Sequence, residues 1–180
     1  MDNDLFSYLA RLEIMVFFAG YPIIYALVYF LASEFRKKPK AIISLFQELL
    51  PFGYAVSASL FLGFIIRKIY IGYELGVPVN KLDHPFLILF GFLALLFWLR
   101  PIRKFAVMSL IHSLVFFYFI PRDIVQNFSS DQGNDIVKND MNILTTSLLL
   151  NVICLLFVLI VHYLIKYIAG SRQVITKDNN

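Results

Sequence analysis

Glu48, His112 and His162 are ionisable side chains set inside long apolar stretches of a 180-residue chain. A carboxylate or imidazole in hydrocarbon is costly unless it is paired, neutral or hydrogen-bonded, so such positions are candidates for function. Counted from the ends of their apolar runs, His112 lies seven residues past Phe105, His162 six before Ile168 and Glu48 six past Ile42. Each is about 10 Å deep if the runs are helical. At one level, two imidazoles and a carboxylate could act as a proton relay, a site for a lipid headgroup or a hydrogen-bonded structural knot. A divalent metal would need closer ligand spacing, and no HExxH or comparable pattern accompanies them, so no metal site is expected.

Other catalytic signatures are missing from the sequence. It has no nucleophile with a base at recognisable spacing, no Gly-rich phosphate loop and no cofactor motif, so no catalytic residue and no cofactor are assigned. The single cysteine, Cys154, lies in an apolar run. This excludes an intrachain disulfide, a CxxC pair and a cysteine-based zinc site.

The elements that hold these residues follow from composition. The chain is 59% apolar and 16% charged, whereas a water-exposed domain is about a quarter charged. Its apolar residues come in runs the length of a bilayer crossing. The expected fold is therefore an all-α, polytopic integral membrane protein forming one transmembrane domain over residues 1–170, followed by a cytoplasmic tail at 171–180. Gly and Pro are few, which argues against interrupted helices of the transporter kind.

Five spans are expected. The first covers residues 11–33 and ends at Glu34 and the basic cluster Arg36, Lys37, Lys38 and Lys40. The acidic Met1-Asp2-Asn3-Asp4 start does not fit a cleavable signal peptide, so this span reads as a retained anchor. The second run contains Pro51 and Gly53. It is either one long kinked helix over 42–66, or an interfacial helix at 40–50 followed by a short span at 52–66. Between Phe86 and Ile120, the residues Arg100, Pro101, Arg103 and Lys104 divide an apolar stretch too long for one crossing. The reading is two short spans, 85–99 and 105–120, joined by a tight basic turn. A polar loop then precedes a last span at 142–168.

Charge placement gives the chain a direction. With the N-terminus outside, the cytoplasmic cations are Arg36, Lys37, Lys38, Lys40, Arg100, Arg103, Lys104, Lys166, Arg172 and Lys177. The external ones are Arg11, Arg67, Lys68, Lys81, Arg122 and Lys138. The excess favours N-outside and C-cytoplasmic. The net charge of +4 is thus a topology signal, and no nucleic-acid partner is expected. Arg36, Lys37, Lys38, Lys40, Arg100, Arg103 and Lys104 are candidates for contact with anionic headgroups or a partner protein.

Helix packing has its own pattern. Ala55, Ser59 and Gly63 recur every fourth residue, with Gly53 and Ser57 as a parallel small pair, so another helix can approach closely. Ser147, Asn151, Cys154 and His162 form a polar stripe on the last span, suited to interhelical hydrogen bonding. Ser109, three residues before His112, fits the same role.

The leading functional expectation is a non-enzymatic subunit that anchors or scaffolds a larger envelope complex, in a bacterial inner membrane. Its partners would be the bilayer and other membrane or cytoplasmic subunits, or further copies of itself. A small transporter or proton-coupled component using Glu48, His112 and His162 is the alternative, and a membrane enzyme acting on lipid is a third.

Overall fold

In the computed structural model, the described residues are 11–34, 40–74, 84–127 and 133–177. They are helical apart from short turns, and no strand occurs among them. The helices are α1 (residues 11–18), α2 (Tyr21–Glu34), α3 (Lys40–Glu74), α4 (Pro85–Leu93), α5 (Arg100–Arg103), α6 (Ala106–Asn127) and α7 (Gly133–Lys177). Among the described residues, four stretches are long and apolar enough to cross a membrane: Arg11–Leu31, Glu48–Ile71, Ala106–Gln126 and Asp135–Ala169. The chain is an all-helical integral membrane protein. Pro85–Trp98 is a shorter apolar helix.

The first span departs from its sequence reading. It is interrupted at Ala19 and Gly20, between α1 and α2. Pro22 has no N–H, and its ring crowds the carbonyl of Phe18 four residues back, so the helical ladder fails one turn before it. The hydrogen bonds Ala19 N–H to Met15 O (2.9 Å) and Ile24 N–H to Gly20 O (3.4 Å) flank the break. A low overall count of Gly and Pro gave no warning, because what matters is that Gly20 and Pro22 stand two residues apart inside one run.

α3 is a single helix of 35 residues with Pro51 inside it, about 52 Å long. A separate interfacial helix at 40–50 does not form. Leu49, Leu50 and Pro51 are all buried, so the proline is packed in protein, where a helix tolerates its missing hydrogen bond. Downstream, α4 tightens into a 3₁₀ turn, Ala94–Trp98, before Leu99 turns extended (φ −74°, ψ 125°) and α5 begins with a proline in its first turn. This basic turn divides α4 from α6.

α6 runs on past residue 120, through Pro121, Arg122 and Asp123 to Asn127. The sequence reading ends this span at residue 120; Asp123 instead becomes buried and ion-paired, which draws the helix onward. α7 is also longer than its apolar core. Residues 133–141, expected as loop, and 171–177, expected as tail, continue the same 45-residue helix. No proline interrupts the chain from Gly133 to Lys177, and a helix once nucleated propagates cheaply through such sequence.

The core forms where α1, α2, α3, α4, α6 and α7 meet. Phe18, Tyr54, Phe61 and Phe116 are fully buried at its centre. Phe18 lies 5.3 Å from Phe61 and 4.7 Å from Phe116 by ring centroids. A Cβ at Gly91 would stand 2.7 Å from Phe61 Cε1, so glycine is what lets α4 lie against that ring. α3 and α7 are antiparallel, since Gly53 sits beside Leu155 while Ser57 reaches Asn151.

The closest approach is at Gly20. A Cβ there would fall 2.6 Å from the Ser147 carbonyl carbon and 2.8 Å from Leu148 Cα, both backbone. Gly63 has open space around its Cβ direction. Gly20→Ala is therefore expected to lower stability by about 1–3 kcal/mol through overpacking, whereas Gly63→Ala should stay within about 0.5 kcal/mol of the parent. Denaturant unfolding of both variants in micelles, followed by helical circular dichroism, compares them.

Candidate functional site

Two polar constellations occupy the interior. The first sits where the broken first span crosses α7. Interrupting a helix frees backbone groups that lipid cannot satisfy. Here the Gly20 N–H donates to Ser147 Oγ at 2.7 Å, and Ser147 Oγ donates in turn to Met15 O at 3.4 Å. Asn151 uses one Nδ2 hydrogen on Phe17 O (3.1 Å) and the other on Ser147 O (2.8 Å). Its Oδ1 accepts from Ser57 Oγ on α3 at 2.9 Å, and Ser57 is also near Gly53 O at 3.3 Å. Ser57, Ser147 and Asn151 are all buried. This network ties α1, the break at Gly20, α3 and α7 together at one level.

The second constellation surrounds His112 on α6. Its Nε2 is 2.9 Å from Phe90 O, and its Nδ1 is 2.6 Å from the Tyr54 hydroxyl. A carbonyl can only accept, so Nε2 carries the proton; in the neutral ring Nδ1 is then the acceptor and Tyr54 donates. Aromatic rings enclose the imidazole. Phe90 stacks on it at 4.3 Å with an interplanar angle of 3°, and Tyr54, Phe116, Phe18 and Phe97 stand at 5.6 to 6.2 Å. Nearby, Ser109 Oγ donates to Ala106 O at 2.6 Å, so the Tyr21 hydroxyl, 2.7 Å away, donates to Ser109. The Tyr21 and Tyr54 rings lie 4.4 Å apart, tilted by 46°.

Glu48, His112 and His162 are not joined to one another by a hydrogen bond or ion pair among the described residues. Glu48 is exposed on α3. His162 is half-buried and lines an open groove with Leu49, Phe52, Trp98 and Val161. The hydrogen-bonded chain through His112 begins at a tyrosine and ends at the Phe90 carbonyl, which has no proton to pass on. That arrangement positions α4 against α3 and α6.

The small residues of α3 divide between two jobs. Gly53, Ala55 and Ser57 are buried, and Gly53 lets Leu155 Cα come within 3.4 Å of where a side chain would begin. Ser59 is exposed and accepts the Trp98 indole N–H at 2.9 Å. Gly63 is exposed in open space. Cys154 is buried on the inner face of α7.

Charges close one end of the bundle. Arg11 forms a salt bridge with the buried Asp123 of α6, and its guanidinium lies 5.5 Å over the Phe119 ring. Lys68 on α3 pairs with Glu13 at 2.7 Å, both about half-exposed. Of the other basic candidates, Arg36, Lys37 and Lys38 lie outside the described residues, as does the side chain of Lys40. Arg100 and Lys104 are exposed, and Arg103 lies 3.8 Å over the Phe52 ring. Among the described residues, no group of three or more His, Cys, Asp or Glu is placed to hold a metal ion.

The sequence reading passed over Gly20, Tyr21, Tyr54 and the Arg11–Asp123 pair. A signal was available for the tyrosines: a hydroxyl inside an apolar run must find a partner. For Arg11 and Asp123, 112 positions apart, sequence offered only two flanking charges.

Comparison with protein-family models, curated proteins and solved structures finds no match for this chain.

The Ser57–Asn151 contact gives a direct measure of the crossing. A double-mutant cycle of Ser57→Ala and Asn151→Ala should return a coupling of about 0.6 kcal/mol, with about 1.7 kcal/mol as an upper bound for hydrogen bonds between membrane helices. Zero coupling in micelle unfolding would mean that the two side chains do not meet.

Proposed function

We propose that this chain is a non-enzymatic integral membrane subunit that anchors or scaffolds a larger envelope complex, such as one serving secretion or surface assembly. The observation that carries the reading is the imbalance of α7. The most apolar part of its 35-residue stretch is 22% buried within the protein, against 56% for the first two spans. That stretch is about 52 Å long, well beyond a hydrocarbon core of about 30 Å. Leu156, Ile160 and Leu164 are exposed on it. We read that face as the one offered to a second protein chain.

The interior supports the same reading from the other side. Asn151, Ser147, Ser57 and His112 spend their hydrogen bonds on helix packing. A protein whose buried polar groups hold helices in register has the character of a rigid frame.

The orientation belongs to the proposal: five crossings, N-terminus outside and C-terminus cytoplasmic, in a bacterial inner membrane. Two features support it. The pairs Arg11–Asp123 and Glu13–Lys68 join residues that all fall on the external side under this assignment. In addition, α4 approaches Phe61 at Gly91, while Trp98 lies against Phe52 and Ser59, so this short segment runs opposite to α3.

Purification of the tagged full chain from native membranes in mild detergent is expected to recover a second protein chain at fixed stoichiometry. A lone monomer counts against a scaffold. For orientation, single cysteines are introduced after replacing Cys154 with Ser. A membrane-impermeant maleimide should label Tyr73→Cys in intact cells and Lys104→Cys only after lysis, and the opposite pattern reverses the assignment.

A further inference from the structure

A groove opens on the outer face between α3, the Ala94–Trp98 turn and α7. It encloses about 240 Å³. Leu49, Phe52, Val56, Trp98 and Val161 supply its apolar wall, and His162 is its one titratable lining residue. Trp98 is the single tryptophan of the chain, and its orientation is fixed. The indole N–H donates to Ser59 Oγ at 2.9 Å, and Ser59 donates to Ala55 O at 3.1 Å. With its polar edge engaged, Trp98 presents carbon to the groove, and Phe52 meets it edge-on at 5.7 Å.

A cation stands at the same place. The Arg103 guanidinium lies 3.8 Å over the Phe52 ring, so one aromatic side chain is at once groove wall and platform for a positive charge. Stacking leaves the edge of the guanidinium fork available for a planar, two-point contact with a phosphate. Arg100 and Lys104 are exposed in the same turn, and Lys166 is exposed one helical turn beyond His162. The one acidic neighbour along α3 is the exposed Glu48. Because α3 and α7 are antiparallel, Leu49, His162 and Ile165 lie toward one end of the groove, and Val56 and Phe157 toward the other. Arg103, at Phe52, therefore holds a positive charge beside an apolar channel, the two groups that an anionic amphiphile pairs.

We propose that this groove seats an acyl chain of an anionic glycerophospholipid drawn from the surrounding bilayer, with its phosphate on Arg103. The apolar wall alone would take any lipid tail; the stacked arginine selects a negative headgroup.

Trp98 reports occupancy directly. The full chain is reconstituted in phosphatidylcholine vesicles with a fixed small fraction of either brominated phosphatidylglycerol or brominated phosphatidylcholine, because bromine on an acyl chain quenches a tryptophan that it touches. The anionic lipid is expected to occupy the groove about fivefold more than the zwitterionic one, a ratio equivalent to about 1 kcal/mol from one arginine. Arg103→Gln should abolish the preference while tail quenching persists. Val161→Phe, at a partly exposed position and so tolerated by the fold, should reduce quenching by the anionic lipid. Equal quenching by the two lipids in the parent would overturn the proposal, leaving Trp98 merely bathed in bulk lipid. So would the absence of quenching by either, which means that protein covers the groove. A preference that survives Arg103→Gln, or quenching unchanged in Val161→Phe, also overturns it.

Discussion

The helix crossing at Gly20 governs the rest of the structure. Pro22 breaks the first span in a place where water cannot repair the break, and every backbone group it frees must be answered by protein. Ser147 and Asn151 of α7 answer two of them, the Gly20 N–H and the Phe17 carbonyl. Their reach demands contact so close that no residue but glycine fits at position 20 without a shift of backbone. Because Asn151 also accepts from Ser57, α3 is placed by the same side chain. One asparagine thus sets the relative height of three helical segments, and an apolar replacement would leave several buried groups unanswered at once.

The aromatic centre follows from that placement. With the break at Ala19 and Gly20, Phe18 and Tyr21 turn inward on either side of it, and both reach Tyr54. Tyr54 carries its hydroxyl to His112, and His112 carries its other nitrogen to Phe90 O. The short α4 is held by this hydrogen bond and by the fit of Gly91 on Phe61. An imidazole in an apolar run invites a chemical role, yet here both nitrogens are committed and one partner is a carbonyl. These two bonds fix where α4 sits, which van der Waals contact among many similar phenylalanines would specify poorly.

The two ends of the bundle are finished differently. At one, Arg11–Asp123 and Glu13–Lys68 pair acids with bases. At the other, the basic turn after Trp98 lies among aromatic rings, with Arg103 on Phe52. The first end is closed upon itself. The second presents charge outward, beside the face of α7 that the protein leaves uncovered, and both the scaffold reading and the lipid groove draw on that asymmetry.

Sequence by itself determined that the chain is helical and built for a membrane, because apolar runs of bilayer length separated by charge have few other solutions. It also marked Asn151, Ser147, Gly53 and Ser57 as small or polar side chains on helix faces, since their period along the chain is local information. What it could not give was partnership. That Asn151 serves Phe17 O, 134 positions away, that His112 looks to Tyr54 and Phe90 rather than to Glu48 or His162, and that Gly20 rather than Gly63 is the point of closest approach are decided by which helices adjoin. The continuation of α6 past Ile120 likewise goes with the burial of Asp123, which hydropathy does not register. Local pattern fixes what each helix can offer to a neighbour; only the tertiary structure decides which neighbour receives it, because in lipid every apolar face competes equally and the choice falls to a few hydrogen bonds and close contacts.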